Sequence, residues 1–122
     1  MNQGLLLFGH GSRDPAWADP FRRIAEHIAA ARPGLPVALA FLEFLPPDLP
    51  AAADTLVDSG CAKVHVVPMF LGTGGHVRRD LPRLVEQLRE RHPGVTWVLR
   101  PPIGDHPDVV AAMSLAARDG LE

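Results

Sequence analysis

Two histidines and a glutamate hold the positions in this chain from which chemistry can be read. His10 stands in Gly9-His10-Gly11-Ser12-Arg13, directly after the apolar run Leu5-Leu6-Leu7-Phe8. His76 closes Gly72-Thr73-Gly74-Gly75, which follows Val66-Val67-Pro68-Met69-Phe70-Leu71. Glu43 comes directly after a third apolar run that ends at Leu42. Imidazole titrates near neutral pH, so it can accept a proton or offer a lone pair to a metal. Two imidazoles and a carboxylate form a borderline donor set suited to cobalt, iron, nickel or zinc. Three protein ligands leave coordination positions open, as catalytic metal sites do. The plainer reading of each residue is a turn-capping histidine or a solvated carboxylate. Their shared placement favours the functional one.

Arg13 follows His10 closely, and Arg78 and Arg79 follow His76. The last two fall in the first turn of a predicted helix, where the dipole disfavours cations. That placement points to an anionic ligand, with pairing to Asp80 as the simpler alternative. Gly72, Thr73, Gly74 and Gly75 lead into the same helix, so their N–H groups can receive carboxylates or phosphates, or serve as a flexible turn.

The elements that must position these residues alternate regularly. Continuous apolar runs predict strands over Gly4–Phe8, Pro36–Leu42, Lys63–Pro68 and Val95–Leu99, as parallel strands covered on both faces require. Four helical patterns separate and follow them. The first carries Phe21, Ile24, Ala25, Ile28 and Ala29 on one stripe, and the second Leu49, Ala53, Leu56 and Val57, with Gly60 as its stop. The third has Val77, Leu81, Leu84, Val85 and Leu88, and the fourth turns Val110, Met113 and Ala117 inward. A βαβαβαβα string with right-handed crossovers predicts a four-stranded parallel sheet of flavodoxin-like order 2-1-3-4, with helices on both faces. Its switch point lies between strands 1 and 3, the two strands followed by His10 and His76. Glu43 ends strand 2 on the same rim.

Length and composition narrow the classes. A chain of 122 residues with 47% apolar content suits one globular domain spanning residues 1–122. A formal net charge of -2 gives no reason to expect nucleic acid or an anionic membrane as partner. Cys61 is the single cysteine, which excludes an internal disulfide and a cysteine-built metal cluster. The first residues lack the charged and long apolar regions of a signal peptide, and no apolar stretch approaches the ~18 residues of a membrane span. The expected setting is cytoplasmic. The 13 prolines and 11 glycines fall at joints between periodic segments, as at Pro33-Gly34 and Pro93-Gly94, so they read as punctuation.

Other motifs do not fit. A dinucleotide fingerprint fails at Asp14, where its third glycine belongs, and no serine-hydrolase elbow is present. His65 reads as a satisfied strand histidine, His92 as a helix C-terminal residue, His27 as partly exposed and His106 as a helix cap. Trp17 and Trp97 read as packing residues, and Met69 and Phe70 as a wall.

Taken together, the motifs resemble the class II tetrapyrrole chelatases, and among them the short single-lobe sirohydrochlorin cobaltochelatases and ferrochelatases. The matching pieces are Gly9-His10-Gly11-Ser12-Arg13, Pro68-Met69-Phe70-Leu71 with Gly74-Gly75-His76-Val77, and Asp80-Leu81-Pro82. Pro102-Ile103-Gly104 with His106-Pro107 completes them. The resemblance implies that His10 and His76 bind the incoming metal and accept pyrrole protons, with Glu43 as acidic partner. It implies that Leu45, Pro46 and the stretch from Leu71 to Gly75 lie against the macrocycle, whose carboxylates would meet Arg13, Arg78 and Arg79. Longer members carry two such lobes in one polypeptide, so a homodimer facing a shared cavity is implied here. No cofactor would stay bound; Co²⁺, Fe²⁺ or Ni²⁺ would be a substrate beside sirohydrochlorin. The rival readings are a metal carrier or storage protein using the same ligands without turnover, and a flavodoxin-like phosphate or nucleotide binder.

Overall fold

The structure, a computed structural model, describes residues 2–72 and 74–122; Met1, Thr73 and the side chain of His76 lie outside that description. In chain order the elements are β1 (Gln3–Gly9), α1 (Asp19–Ala31), β2 (Val37–Phe41), α2 (Leu49–Asp58), β3 (Lys63–Pro68), α3 (Gly75–Arg91), β4 (Thr96–Leu99) and α4 (Pro107–Arg118). Short 3-10 turns at Pro15–Ala18 and Ile103–Asp105 precede α1 and α4. The strands form one parallel sheet in the order β2-β1-β3-β4, as the alternation of elements predicts.

Local chemistry sets the element ends. The Asp48 carboxylate accepts from Ala51 N–H at 2.9 Å and starts α2, and His106 Nδ1 accepts from Asp108 N–H at 3.1 Å and starts α4. Gly60 ends α2 at φ +91°, with Gly60 N–H donating to Val57 and Cys61 N–H to Leu56.

One face of the sheet is closed by two helices. Leu6, Phe8, Ala40, Val64, Val66 and Trp97 point to that side and meet Ala52, Ala53 and Leu56 of α2 and Leu81, Val85 and Leu88 of α3. Each fully buried leucine or phenylalanine there contributes about 1.5–3 kcal/mol, enough in sum to fix the strand register. The packing residues read from the sequence in α2 and α3 are thus buried or half-buried.

The opposite face is only partly closed. α1 lies over β2 and β1, with Phe21 and Trp17 set edge-on against Phe41 at 6.4 and 6.2 Å between ring centroids. Its expected stripe is narrower than the pattern implies: Phe21, Ala25 and Ile28 are half-buried, whereas Ile24 and Ala29 face solvent. On β3 and β4, His65 and Val98 sit side by side in register and are half-buried. His65, expected to be satisfied, has its Nδ1 shielded from solvent with no hydrogen-bond partner. Its burial, with Arg100 and Lys63 nearby, lowers its pKa from the ordinary value.

α4 departs from expectation. Val110, Met113 and Ala117 do not turn inward; the helix rests on the turn Ile103–Asp105, and the residues from Val110 onward are exposed. The physical reason is topological. α4 follows the strand at the edge of the sheet, and its His106 cap and its contacts seat it on the turn Ile103–Asp105. Among the described residues no helix is long and apolar enough to cross a membrane.

Candidate functional site

The carboxyl ends of the strands remain zipped together beyond the strands themselves. Leu42 N–H donates to Gly9 at 2.9 Å, Glu43 N–H to His10 at 3.1 Å, and Met69 N–H to Phe8 at 2.8 Å. The loops after β1, β2 and β3 are therefore held side by side by backbone alone. Gly11 makes this approach possible: it sits at φ +99°, and a Cβ there would collide with the Glu43 carbonyl oxygen. No other residue type fits that space and that backbone angle together.

This zipper sets His10 against Glu43. Nε2 of His10 lies 3.0 Å from Oε1 of Glu43, and both side chains are about half-exposed, at 47% and 48%. A carboxylate can only accept, so a neutral His10 in this contact carries its proton on Nε2 and keeps its lone pair on Nδ1. A spacing of 3.0 Å also matches two neighbouring donors on a six-coordinate ion with bonds of about 2.1 Å. An ion entering there would displace the shared proton. The Phe70 ring stands edge-on to His10 at 6.4 Å and to Phe8 at 6.4 Å, making a wall behind the imidazole.

The β3–α3 loop is braced from β4's side. Gly104 N–H donates to Phe70 at 2.9 Å, and a Cβ on Gly104 would strike the Leu71 carbonyl. Gly72 and Arg78 line a cavity of about 420 Å³ with Pro102 and Asp105. Leu71, Gly74 and Gly75 are exposed on this rim. His76 is the second residue of α3, whose first turn follows β3, the neighbour of β1. The expectation that its imidazole converges on His10 falls outside the described residues, as does Thr73. Among the described residues, no group of three His, Cys, Asp or Glu side chains is close enough to hold an ion; His10 and Glu43 supply a pair.

The basic residues divide. Arg13 sits over the ring of Phe44, 4.9 Å from its centroid. Arg78 completes the first turn of α3 and Arg79 opens the second, both exposed, and Asp80 lies 3.6 Å from Arg83. Leu45 is half-buried and Pro46 exposed on the β2–α2 loop. Phe44 was not legible as a site residue from the sequence. It is an exposed aromatic held at φ +70° beside Glu43, and a left-handed phenylalanine carries no sequence signature.

The remaining titratable cluster is structural. Asp54 accepts from Arg91 at 2.8 and 2.6 Å and from His92 Nε2 at 2.6 Å, tying α2 to the end of α3. His92 caps α3 as read from the sequence, and Trp97 is buried.

With that geometry in view, comparison with known proteins identifies the lineage. The CbiX family model matches residues 4–119. The chain belongs to the CbiX family. Among CbiX relatives, it is 31% identical over 121 residues to a sirohydrochlorin cobaltochelatase from Priestia megaterium, covering 98% of this chain and 39% of that protein. The CbiX protein from Marinobacter aquaeolei VT8 superposes with a TM-score of 0.83 at 32% identity, covering 95% of this chain and 94% of the other. The sirohydrochlorin chelatase SirB from Bacillus subtilis subspecies spizizenii, solved in complex with cobalt, gives a TM-score of 0.76 at 29% identity. That match covers 98% of this chain and 51% of SirB. This CbiX chain thus spans about two fifths of the Priestia relative and about half of SirB. The predicted class II chelatase lobe, with its strand order, is the observed fold.

Proposed function

We propose that this chain is a sirohydrochlorin chelatase, a lyase-class enzyme that inserts Co²⁺ or Fe²⁺ into sirohydrochlorin to give cobalt-sirohydrochlorin or sirohaem, in cobalamin or sirohaem biosynthesis. The observation that carries this reading is the His10–Glu43 contact on the open rim of a CbiX-family lobe. The wall of Phe70 and the exposed arginines fit a flat ring edged with carboxylates.

Insertion exchanges one divalent ion for two protons on the pyrrole nitrogens. The metal enters as substrate and leaves in the product. His10 and Glu43 supply neighbouring donors for the ion, with His10 also a base for the pyrrole protons, and His76 from the start of α3 supplies a further base and donor. Neutral imidazoles suit both tasks near neutral pH. Arg13, Arg78 and Arg79 bind the substrate's carboxylates, and Leu45, Pro46, Leu71, Gly72, Thr73, Gly74 and Gly75 border the ring. Residues 1–122 act as one lobe, two copies face a shared cavity, and the setting is cytoplasmic, in keeping with the single unpaired Cys61.

The test is an absorbance assay of sirohydrochlorin with Co²⁺, Fe²⁺ and Ni²⁺ in turn. His10→Ala and His76→Ala should each abolish insertion with an unchanged circular dichroism spectrum. Full turnover in both variants would overturn the proposal. Metal uptake by the wild type with no change in the macrocycle spectrum would instead favour a carrier.

A further inference from the structure

Phe44 holds a backbone conformation that its side chain does not favour. It stands at φ +70°, and Leu45 N–H donates to the Glu43 carbonyl at 2.9 Å, closing a three-residue turn around it. A turn of this kind with a positive central φ is rare and strained, and bulky residues are outliers there. Among the described residues, Phe44 is the one non-glycine with a positive φ. Glycine would adopt the same angle at no steric cost.

Burial does not offset this strain. The ring is 53% exposed and lies outside both the core and the half-buried residues packed on it. The Arg13 guanidinium stands 4.9 Å from the ring centroid, and at an exposed site such a contact is weak. The fold thus gains little from a phenylalanine here. Strain that local packing leaves unrelieved clusters at active sites and ligand clamps.

The surroundings say which ligand. Phe44 follows Glu43 directly, so one strained turn joins the ring to the carboxylate that lies 3.0 Å from His10. Leu42, on the same loop, and Leu71, on the β3–α3 loop, are also exposed. The rim near His10 is therefore apolar, with the cation of Arg13 set over its aromatic ring.

We propose that the Phe44 ring is a substrate-binding surface that stacks on a flat, conjugated macrocycle, while Arg13 takes a carboxylate at the macrocycle's edge. Aromatic rings favour offset or edge-on contacts with other π-systems, and a ring already turned to solvent is pre-organised to make one. Because Phe44 and Glu43 share a turn, a macrocycle seated on the ring stands in a fixed relation to the His10–Glu43 pair. Phe44 thus selects for a flat ring bearing carboxylates, at the expense of stability. This inference rests on the reading of the rim as a macrocycle site and adds the residue that holds the macrocycle.

Phe44→Gly isolates the ring, since glycine keeps the turn and removes the side chain. The experiment measures the Kd of metal-free sirohydrochlorin by equilibrium dialysis for wild type, Phe44→Gly and Phe44→Tyr. Co²⁺ insertion kinetics and thermal melts accompany it. Phe44→Gly should raise Kd and KM at least about tenfold, keep kcat within about twofold, and melt no lower than the wild type. Phe44→Tyr, which keeps the ring, should bind as the wild type does. If the wild type inserts Co²⁺ and Phe44→Gly binds equally well, this inference is overturned and the chelatase reading stands. A wild type that binds no sirohydrochlorin overturns both. Should Phe44→Gly melt lower or fail to fold, Phe44→Asn decides, because asparagine tolerates left-handed backbone without glycine's entropy cost. A folded Phe44→Asn with the same loss of binding supports the inference; an equal loss of stability would mean that the ring serves the fold, and overturns it.

Discussion

Nε2 of His10 lies 3.0 Å from Oε1 of Glu43 across thirty-three positions of sequence, and backbone brings them together. The Glu43 N–H donates to the His10 carbonyl, so the two loops share a register before their side chains meet. The contact gives the imidazole a defined tautomer, an oriented ring and a neighbouring negative charge. These are the properties a metal-handling histidine takes from a carboxylate.

Replacing that carboxylate should separate orientation from charge. Glu43→Gln keeps an acceptor but loses the charge, and metal insertion should fall about 10–100-fold. Because both side chains are half-exposed, the melting temperature should barely move. Initial rates with Co²⁺, read beside thermal melts, check this. Wild-type rates would show that Glu43 is a bystander.

Gly11 should be the least replaceable glycine. Gly11→Ala faces both a positive φ and the Glu43 carbonyl, and should cost about 2–4 kcal/mol. Gly34 has φ +88° but only open space within 4 Å of where a Cβ would stand, so Gly34→Ala should cost about 1–2 kcal/mol from backbone alone. Urea unfolding midpoints compare the two. Equal losses would mean that the zipper between the loops is not rigid.

Arg13 and Phe44 should act on substrate affinity. Arg13→Gln removes a cation at the rim that lies over an exposed ring, and should raise the KM for sirohydrochlorin about fivefold to tenfold with kcat nearly constant. Phe44→Leu should act in the same direction. A drop in kcat at constant KM would instead place Arg13 in the insertion step.

Asp54 should govern the acid limb of stability. The Arg91 hydrogen bond first, then that of His92, holds its carboxyl well below the usual carboxylate range. The unfolded chain takes up this proton near pH ~4, while the folded chain stays ionised. Below that pH the unfolded state binds more protons, so the contribution present at neutral pH is lost as the solution is acidified. Asp54→Asn should lower the urea midpoint at pH 7 and flatten its fall between about pH 4 and 2. An unchanged acid slope would count against the triad.

The sequence by itself determined the sheet, its order and the rim. Continuous apolar runs such as Leu5–Phe8 and Lys63–Pro68 suit strands covered on two faces, and right-handed crossovers then leave few orders. Glycine-rich turns after β1 and β3 put His10 and the start of α3 on the same edge. Three matters were decided by tertiary structure. Periodicity shows that α4 has apolar surface to bury but not whose surface covers it, so Met113 came out exposed. Alternation places His65 in β3 but cannot supply a partner for Nδ1. The contact of His10 with Glu43, and Phe44 beside them, depend on hydrogen bonds between separate loops and on a positive φ, which are set by long-range packing and leave no local pattern.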